Sequence, residues 1–147
     1  ASDGLFEPRK GTLFRDLFAA AGPDEQEDLV ALYLQKRGWY IFPSTAKSSM
    51  PSYEFIMVHH DTGRRAGVQV KSGGAGLSMQ AVAQDLDCFF VFTTDPSAVV
   101  PADPKIECIG RREIETFARE NWHLLPRTLQ KKWRGDELPR SSRNAAA

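Results

Sequence analysis

Tyr53-Glu54-Phe55-Ile56-Met57-Val58-His59-His60-Asp61-Thr62-Gly63-Arg64-Arg65-Ala66-Gly67-Val68-Gln69-Val70-Lys71 carries two apolar runs about a polar turn. The runs, Tyr53 to His60 and Arg65 to Lys71, are rich in β-branched and aromatic residues. Asp61, Thr62 and Gly63 between them are turn formers, so the segment reads as a β-hairpin. Side chains alternate across a strand, which puts Gln69 and Lys71 on one face and Val68 and Val70 on the other. The face that Glu54 joins depends on the parity of the turn. An even loop, either Thr62-Gly63 or Asp61 to Arg64, sets Glu54 opposite Lys71 and on its face. A three-residue loop without a bulge turns Glu54 beside Val70 instead. The even register is the one adopted here, and it gathers a carboxylate, an amide and an ammonium at one end of a sheet.

Working outward, Leu13 to Ala21 reads as a short amphipathic helix with Thr12 as N-cap and Gly22-Pro23 as its stop. A second helix is expected from Asp24 or Glu25 to Arg37, closed by Gly38. Trp39 to Phe42 is a strand, followed by a Ser/Pro-rich stretch from Pro43 to Ser52. Beyond the hairpin, Gly73-Gly74-Ala75-Gly76 makes a loop and Leu77 to Leu86 has helical character. Cys88 to Thr93 is the continuous apolar run of a buried strand, Lys105 to Ile109 a further strand, and Arg112 to Trp122 a closing helix. The order helix, three strands, helix, strand, strand, helix predicts an α/β fold with a mixed sheet flanked by helices.

The 147 residues suit one core of ordinary size, and three Trp and nine Phe exclude a disordered chain. Nineteen basic residues balance nineteen acidic ones, so no overall field draws the chain to nucleic acid. The charge is nevertheless uneven. Arg127, Lys131, Lys132, Arg134, Arg140 and Arg143 face only Asp136 and Glu137 at the C-terminal end, either as phosphate contacts or as a solvated tail. Cys88 and Cys108 lie in apolar runs without metal-ligand spacing and are expected to be reduced core residues of a cytoplasmic protein. No apolar stretch approaches the roughly 20 residues of a membrane helix, so no membrane partner is expected. The chain opens without Met and closes on three alanines, which suits a domain of a larger parent protein. Three segments are expected: an N-terminal amphipathic helix and linker over residues 1–23, a central domain over 24–125 and a basic extension over 126–147.

In the second helix Glu27 shares a face with Val30, Ala31 and Leu34 by its spacing. A carboxylate among burying residues needs a partner, either a cation or Lys71; alternatively it completes a capping box with Asp24. Hard cations such as Mg²⁺ take oxygen ligands, and Glu54, the Gln69 side-chain carbonyl and the Val70 backbone carbonyl would supply three. Such an ion activates water for attack on a phosphodiester, while Lys71 orients that water and stabilises the charge that grows in the transition state. Because Gln69 is neutral where an acid would bind more tightly, modest metal affinity is expected.

The ordered set of a helix with an inward Glu ending in Gly38-Trp39, an acid opening an apolar strand, a Gly turn and Gln69-Val70-Lys71-Ser72-Gly73 resembles the PD-(D/E)xK nuclease superfamily. Its Q-x-K form is similar to that of Mrr-like restriction endonucleases, and the likeness covers roughly Glu25 to Thr94. It implies a restriction-endonuclease-like core in α-β-β-β-α-β order and Mg²⁺-dependent, or Mn²⁺-dependent, hydrolysis of phosphodiester bonds. The implied substrate is DNA, with RNA an open alternative. Glu54 would take the place of the family's metal-binding Asp, Gln69 that of its second acid, Lys71 that of its Lys and Glu27 that of its helix acid. Pro51-Ser52-Tyr53-Glu54 departs from the family's Pro-Asp. With both acids altered, the alternative is a catalytically degenerate module that binds nucleic acid or a protein partner.

Ser72, Gln80, Arg64 and Lys131 are candidate nucleic-acid contacts, and a homodimer would supply the two centres that cutting both strands requires. His59 and His60 are read as hairpin residues, because neighbours on a strand point to opposite faces and rarely share one ion. Trp122 is assigned to the core, and Trp133 is left open between core packing and stacking on bases.

Overall fold

In a computed structural model of the chain, residues 16–49, 52–71, 86–95 and 103–134 are described. Two helices open them, α1 (Leu17–Ala20) and α2 (Pro23–Lys36). The strands follow: β1 (Trp39–Ile41), β2 (Lys47–Ser49), β3 (Ser52–His59), β4 (Arg65–Lys71), β5 (Cys88–Thr93) and β6 (Ile106–Ile109). Helices α3 (Arg111–Glu120) and α4 (Arg127–Arg134) close the described chain. The sheet runs in the order β1-β3-β4-β5-β6, with β2 also pairing with β3 beyond the end of β1. Pairs up to β4 are antiparallel, and β4–β5 and β5–β6 are parallel, so the sheet is mixed.

Helix α2 starts at Pro23, one residue before Asp24, the earlier of the two expected starts. Gly22 is the N-cap and Pro23 follows at the first helical position, where a missing N–H costs nothing. The capping box is closed by Glu25, whose Oε1 accepts the Gly22 N–H at 2.9 Å, and not by Asp24 with Glu27. At the other end Gly38 has φ of 98°, a left-handed turn that sends the chain directly back into β1. Helix α2 therefore runs antiparallel to β1, with its first turns towards the Lys71 end of the sheet.

The core lies between the helices and one face of the sheet. Phe55 and Met57 of β3, Ala66, Val68 and Val70 of β4, and Phe90 and Phe92 of β5 pack against Leu29, Val30 and Leu34 of α2. Leu17 of α1 and Leu129 and Trp133 of α4 belong to the same cluster, so the segments set apart by sequence at either end share this core. Both Trp122 and Trp133 are buried, with ring centroids 5.8 Å apart.

Helix α4 was not foreseen. Its Arg127, Lys131 and Arg134 read as a charged tail, yet helical spacing turns Leu129, Gln130 and Trp133 inward. Strand β2 was also missed, because Lys47-Ser48-Ser49 has no apolar alternation. Cys88 is half-buried, but Cys108 is exposed on the edge strand β6, which corrects its assignment to the core. Of the helix expected over Leu77 to Leu86, all but Leu86 falls outside the described residues, as do Leu13 to Arg15 of the first helix. No described helix is long and apolar enough to cross a membrane.

Candidate active site

The β3–β4 register pairs Ser52 with Lys71, Glu54 with Gln69 and Val58 with Arg65. Beyond the ladder the His59 N–H donates to the Arg64 carbonyl at 2.8 Å and the Gly63 N–H to the His59 carbonyl at 2.9 Å. The turn is therefore even, as expected, but spans His60 to Gly63 and not the two loops considered from sequence. That difference slides the register by two residues. Glu54 keeps its face but stands opposite Gln69, with Lys71 at the diagonal position. Glu54, Gln69 and Lys71 thus share the sheet face turned away from α2, at the end of the hairpin remote from its turn.

The contacts among them are specific. Gln69 Nε2 donates to Glu54 Oε1 at 2.6 Å. Because an ionised carboxylate only accepts, this bond fixes the amide with its nitrogen towards β3. Gln69 is fully buried, and among the described residues its carbonyl Oε1 has no hydrogen-bond partner. A buried acceptor left without a donor costs on the order of 1–3 kcal/mol. Lys71 is buried to 8% exposure, and among the described residues no hydrogen bond or ion pair engages its ammonium. The partly buried carboxylate, the free amide oxygen and the buried ammonium offer an anion ligand, a neutral ligand and a cation within two residue pairs of the same ladder.

Thr93 is an addition the sequence reading did not make. It pairs with Lys71 across the parallel β4–β5 ladder, on the same face, and its Oγ1 accepts the Asp95 N–H at 3.1 Å. The signal was the polar Thr93-Thr94-Asp95 that ends an apolar run. Val70 turns its side chain into the core, while its carbonyl lies in the plane of the sheet between Tyr53 and Phe92.

Glu27 stands apart. It is half-buried on α2, which covers the opposite face of the sheet, and no contact joins it to Glu54, Gln69 or Lys71. Burial, with Asp24 and Asp28 as neighbouring charges, pushes its carboxyl up to about 7. The partner expected for it from sequence is not Lys71. Arg64 lies at the turn end of the hairpin, seven residues from Lys71, roughly 20 Å along an extended strand. Lys131 is exposed on α4, on the helical layer. Ser72 and Gln80 fall outside the described residues.

The histidine pair departs from the expected alternation. Strand β3 ends at His59, His60 belongs to the turn, and the two rings stack at 5.3 Å with 15° between planes. Among the described residues no group of three or more His, Cys, Asp or Glu could hold a metal ion. No family model, no curated protein and no solved structure matches the chain.

Proposed function

We propose that this chain is a divalent-metal-dependent nuclease with a restriction-endonuclease-like core, hydrolysing phosphodiester bonds in DNA. The observation that carries this reading is the buried Oε1 of Gln69, without a partner among the described residues, beside a carboxylate and a buried lysine on one sheet face. Glu54 and Gln69 would hold the ion, with the Val70 carbonyl as a third oxygen donor. A bound Mg²⁺ or Mn²⁺ would supply Lewis acidity at the phosphate oxygen and a more acidic water.

The chain's own side chains have separate tasks. Gln69 positions Glu54 by donating to Oε1, which leaves Oε2 of that carboxylate available as a ligand. Lys71 orients the water that adds to phosphorus as the bond to the leaving oxygen breaks, and its ammonium offsets the negative charge developing on the phosphate. Burial weakens solvent screening of that ammonium, which strengthens its pull. Glu27, expected from sequence as a supporting acid, lies on α2 over the opposite face of the sheet and has no part in the proposed centre.

A second reading rests on the donor set itself. One carboxylate and one neutral amide grip a hard cation less firmly than two carboxylates, which suits a nuclease fold that binds nucleic acid without cutting it. Both are tested by incubating the purified chain with single- and double-stranded DNA and RNA in Mg²⁺, Mn²⁺ or chelator. Cleavage of DNA with either ion and none in chelator supports the nuclease. Binding without cleavage supports the degenerate module, and neither binding nor cleavage removes both.

A further inference from the structure

A separate recess of about 320 Å³ opens at the turn end of the hairpin, on the helical side of the sheet. Arg37 at the end of α2, Trp39 of β1, Arg64 after the turn, Phe90 of β5, and Lys105 and Glu107 at β6 form its walls. Trp39 meets Phe90 edge to face at 5.4 Å and His59 at 5.1 Å, which makes one wall aromatic. His59 is fixed from both sides. Its Nε2 lies 3.2 Å from the Arg37 carbonyl, and its Nδ1 accepts the Asp61 N–H at 3.2 Å. A carbonyl only accepts and a backbone N–H only donates, so these two contacts suit Nε2 as donor and Nδ1 as acceptor.

From His59 the aromatic surface continues outward. His60 stacks on it, and Tyr40, 61% exposed, stacks on His60 at 5.7 Å. Gly38 makes this possible, since a Cβ there would stand 2.9 Å from both His59 Nε2 and His60 Cδ2.

The rim carries unspent positive charge. The Arg37 guanidinium is occupied, 3.7 Å from Glu107 and 3.0 Å from the Tyr33 hydroxyl. Arg64 and Lys105 have no ion pair among the described residues. Glu107, beside Arg37, is the one carboxylate among the described lining residues. Asp87 and Asp103 accept the Arg65 and Lys105 N–H groups, each at 2.8 Å, and Asp61 lies 3.0 Å from His60, all three outside the lining. Thr62 Oγ1 accepts the Arg64 N–H at 3.2 Å and keeps its own proton to donate.

An inorganic anion alone has no use for an aromatic wall, and an apolar ligand has none for two free cations. A flat ring bearing an anionic group uses both, and the volume lies at the lower end of the range that holds small molecules. We propose that this recess binds a nucleotide unit, its base against His59 and the edges that Trp39 and Phe90, 6% and 4% exposed, present to the recess, and its phosphate between Arg64 and Lys105, with the Thr62 hydroxyl as a further donor. The site is separate from the Glu54, Gln69 and Lys71 constellation and does not depend on nuclease activity.

The test is calorimetric titration of the full chain with AMP, adenosine or inorganic phosphate, in chelator and at low salt. AMP is expected to bind with a Kd below about 1 mM, and adenosine and phosphate each at least about tenfold more weakly. Arg64→Ala with Lys105→Ala, both exposed positions, should weaken AMP about tenfold or more. Lys36→Ala with Arg112→Ala removes the same charge from other exposed positions and should leave AMP binding unchanged. The proposal is overturned if AMP gives no binding up to about 5 mM, if phosphate alone binds as tightly as AMP, or if the two double variants lose affinity equally.

Discussion

Gln69 and Glu54 face one another across the β3–β4 ladder, the amide nitrogen donating to the carboxylate at 2.6 Å while the buried amide oxygen finds no donor among the described residues. That asymmetry makes the pair informative. A buried acceptor without a donor is a loss of stability, and Gln26 on α2 shows the same one-sided pattern, its Nε2 donating to the Ala21 carbonyl while its Oε1 has no donor among the described residues. What sets Gln69 apart is the carboxylate and the lysine on its face. Here one end fixes the acid, and the other has no donor among the described residues.

Gln69→Glu is expected to convert this pair into two facing carboxylates. Without a divalent ion their repulsion and the lost charge-assisted hydrogen bond should destabilise the fold by about 2–3 kcal/mol. Adding Mg²⁺ should restore more stability to this variant than to the parent chain. Thermal melts in chelator and across a Mg²⁺ series check both, and an equal response of the two proteins to the ion would count against a cation lying between positions 54 and 69.

Glu27 gives a pH signature. Its carboxyl is raised from 4.5 to about 7 in the folded chain by burial and by Asp24 and Asp28. Between those values the folded state holds a proton that the unfolded state has released, so this side chain lowers stability as pH rises from about 4.5 to 7. Glu27→Gln should remove that slope and stabilise the protein at pH 8. The gain should be no more than about 1 kcal/mol, since much of the side chain is open to solvent and screened. Denaturant melts of both proteins at pH 5 and pH 8 measure it, and a parallel pH dependence in the variant would show that Glu27 is not the group responsible.

Glu25 ties α2 to α4. Its Oε1 accepts from Gly22 N–H and from Lys132 Nζ, and its Oε2 accepts from the Thr128 hydroxyl. Burial alone would raise this carboxyl, but Lys132, the Gly22 N–H and Thr128 together hold it below its ordinary range. Its stabilising share is therefore present at neutral pH and is lost as pH falls through the lowered value. Glu25→Ala should cost about 1–2 kcal/mol, through the lost cap and the lost link to α4. Hydrogen exchange should show the added opening first in residues 127–134, and unchanged exchange there would contradict the link.

Gly67 lies on β4 where a Cβ would come within 2.9 Å of Leu86 Cδ1 and 3.1 Å of the Phe89 ring. Gly67→Val should therefore destabilise the sheet by about 2 kcal/mol or more, despite the better strand propensity of Val. Equilibrium unfolding tests this, and a gain in stability would mean that Leu86 and Phe89 can move aside.

The hairpin, the buried strand at Cys88–Thr93 and the mixed α/β arrangement were legible because their signals are local: β-branched alternation, a turn dipeptide and an unbroken apolar run. The shared face of Glu54, Gln69 and Lys71 followed from parity alone. Their exact pairing did not, because placing the turn at His60 to Gly63 depends on backbone bonds from His59 that composition does not encode. Helix α4 was hidden for a different reason. Leu129 and Trp133 are sparse among basic residues, and only packing against α1 and the rest of the core shows which side of that helix is inside. Cys108 was misplaced because an apolar run at a sheet edge looks like one at its centre.

Lys71→Ala offers the sharpest discrimination, measured as single-turnover cleavage of labelled DNA in Mg²⁺ beside the parent chain, with circular dichroism to confirm that both are folded. If the buried ammonium of Lys71 assists hydrolysis, the parent should cut and the variant should lose about 100-fold or more in rate while keeping its fold. A folded variant that cuts as fast as the parent would contradict a catalytic centre at this end of the sheet.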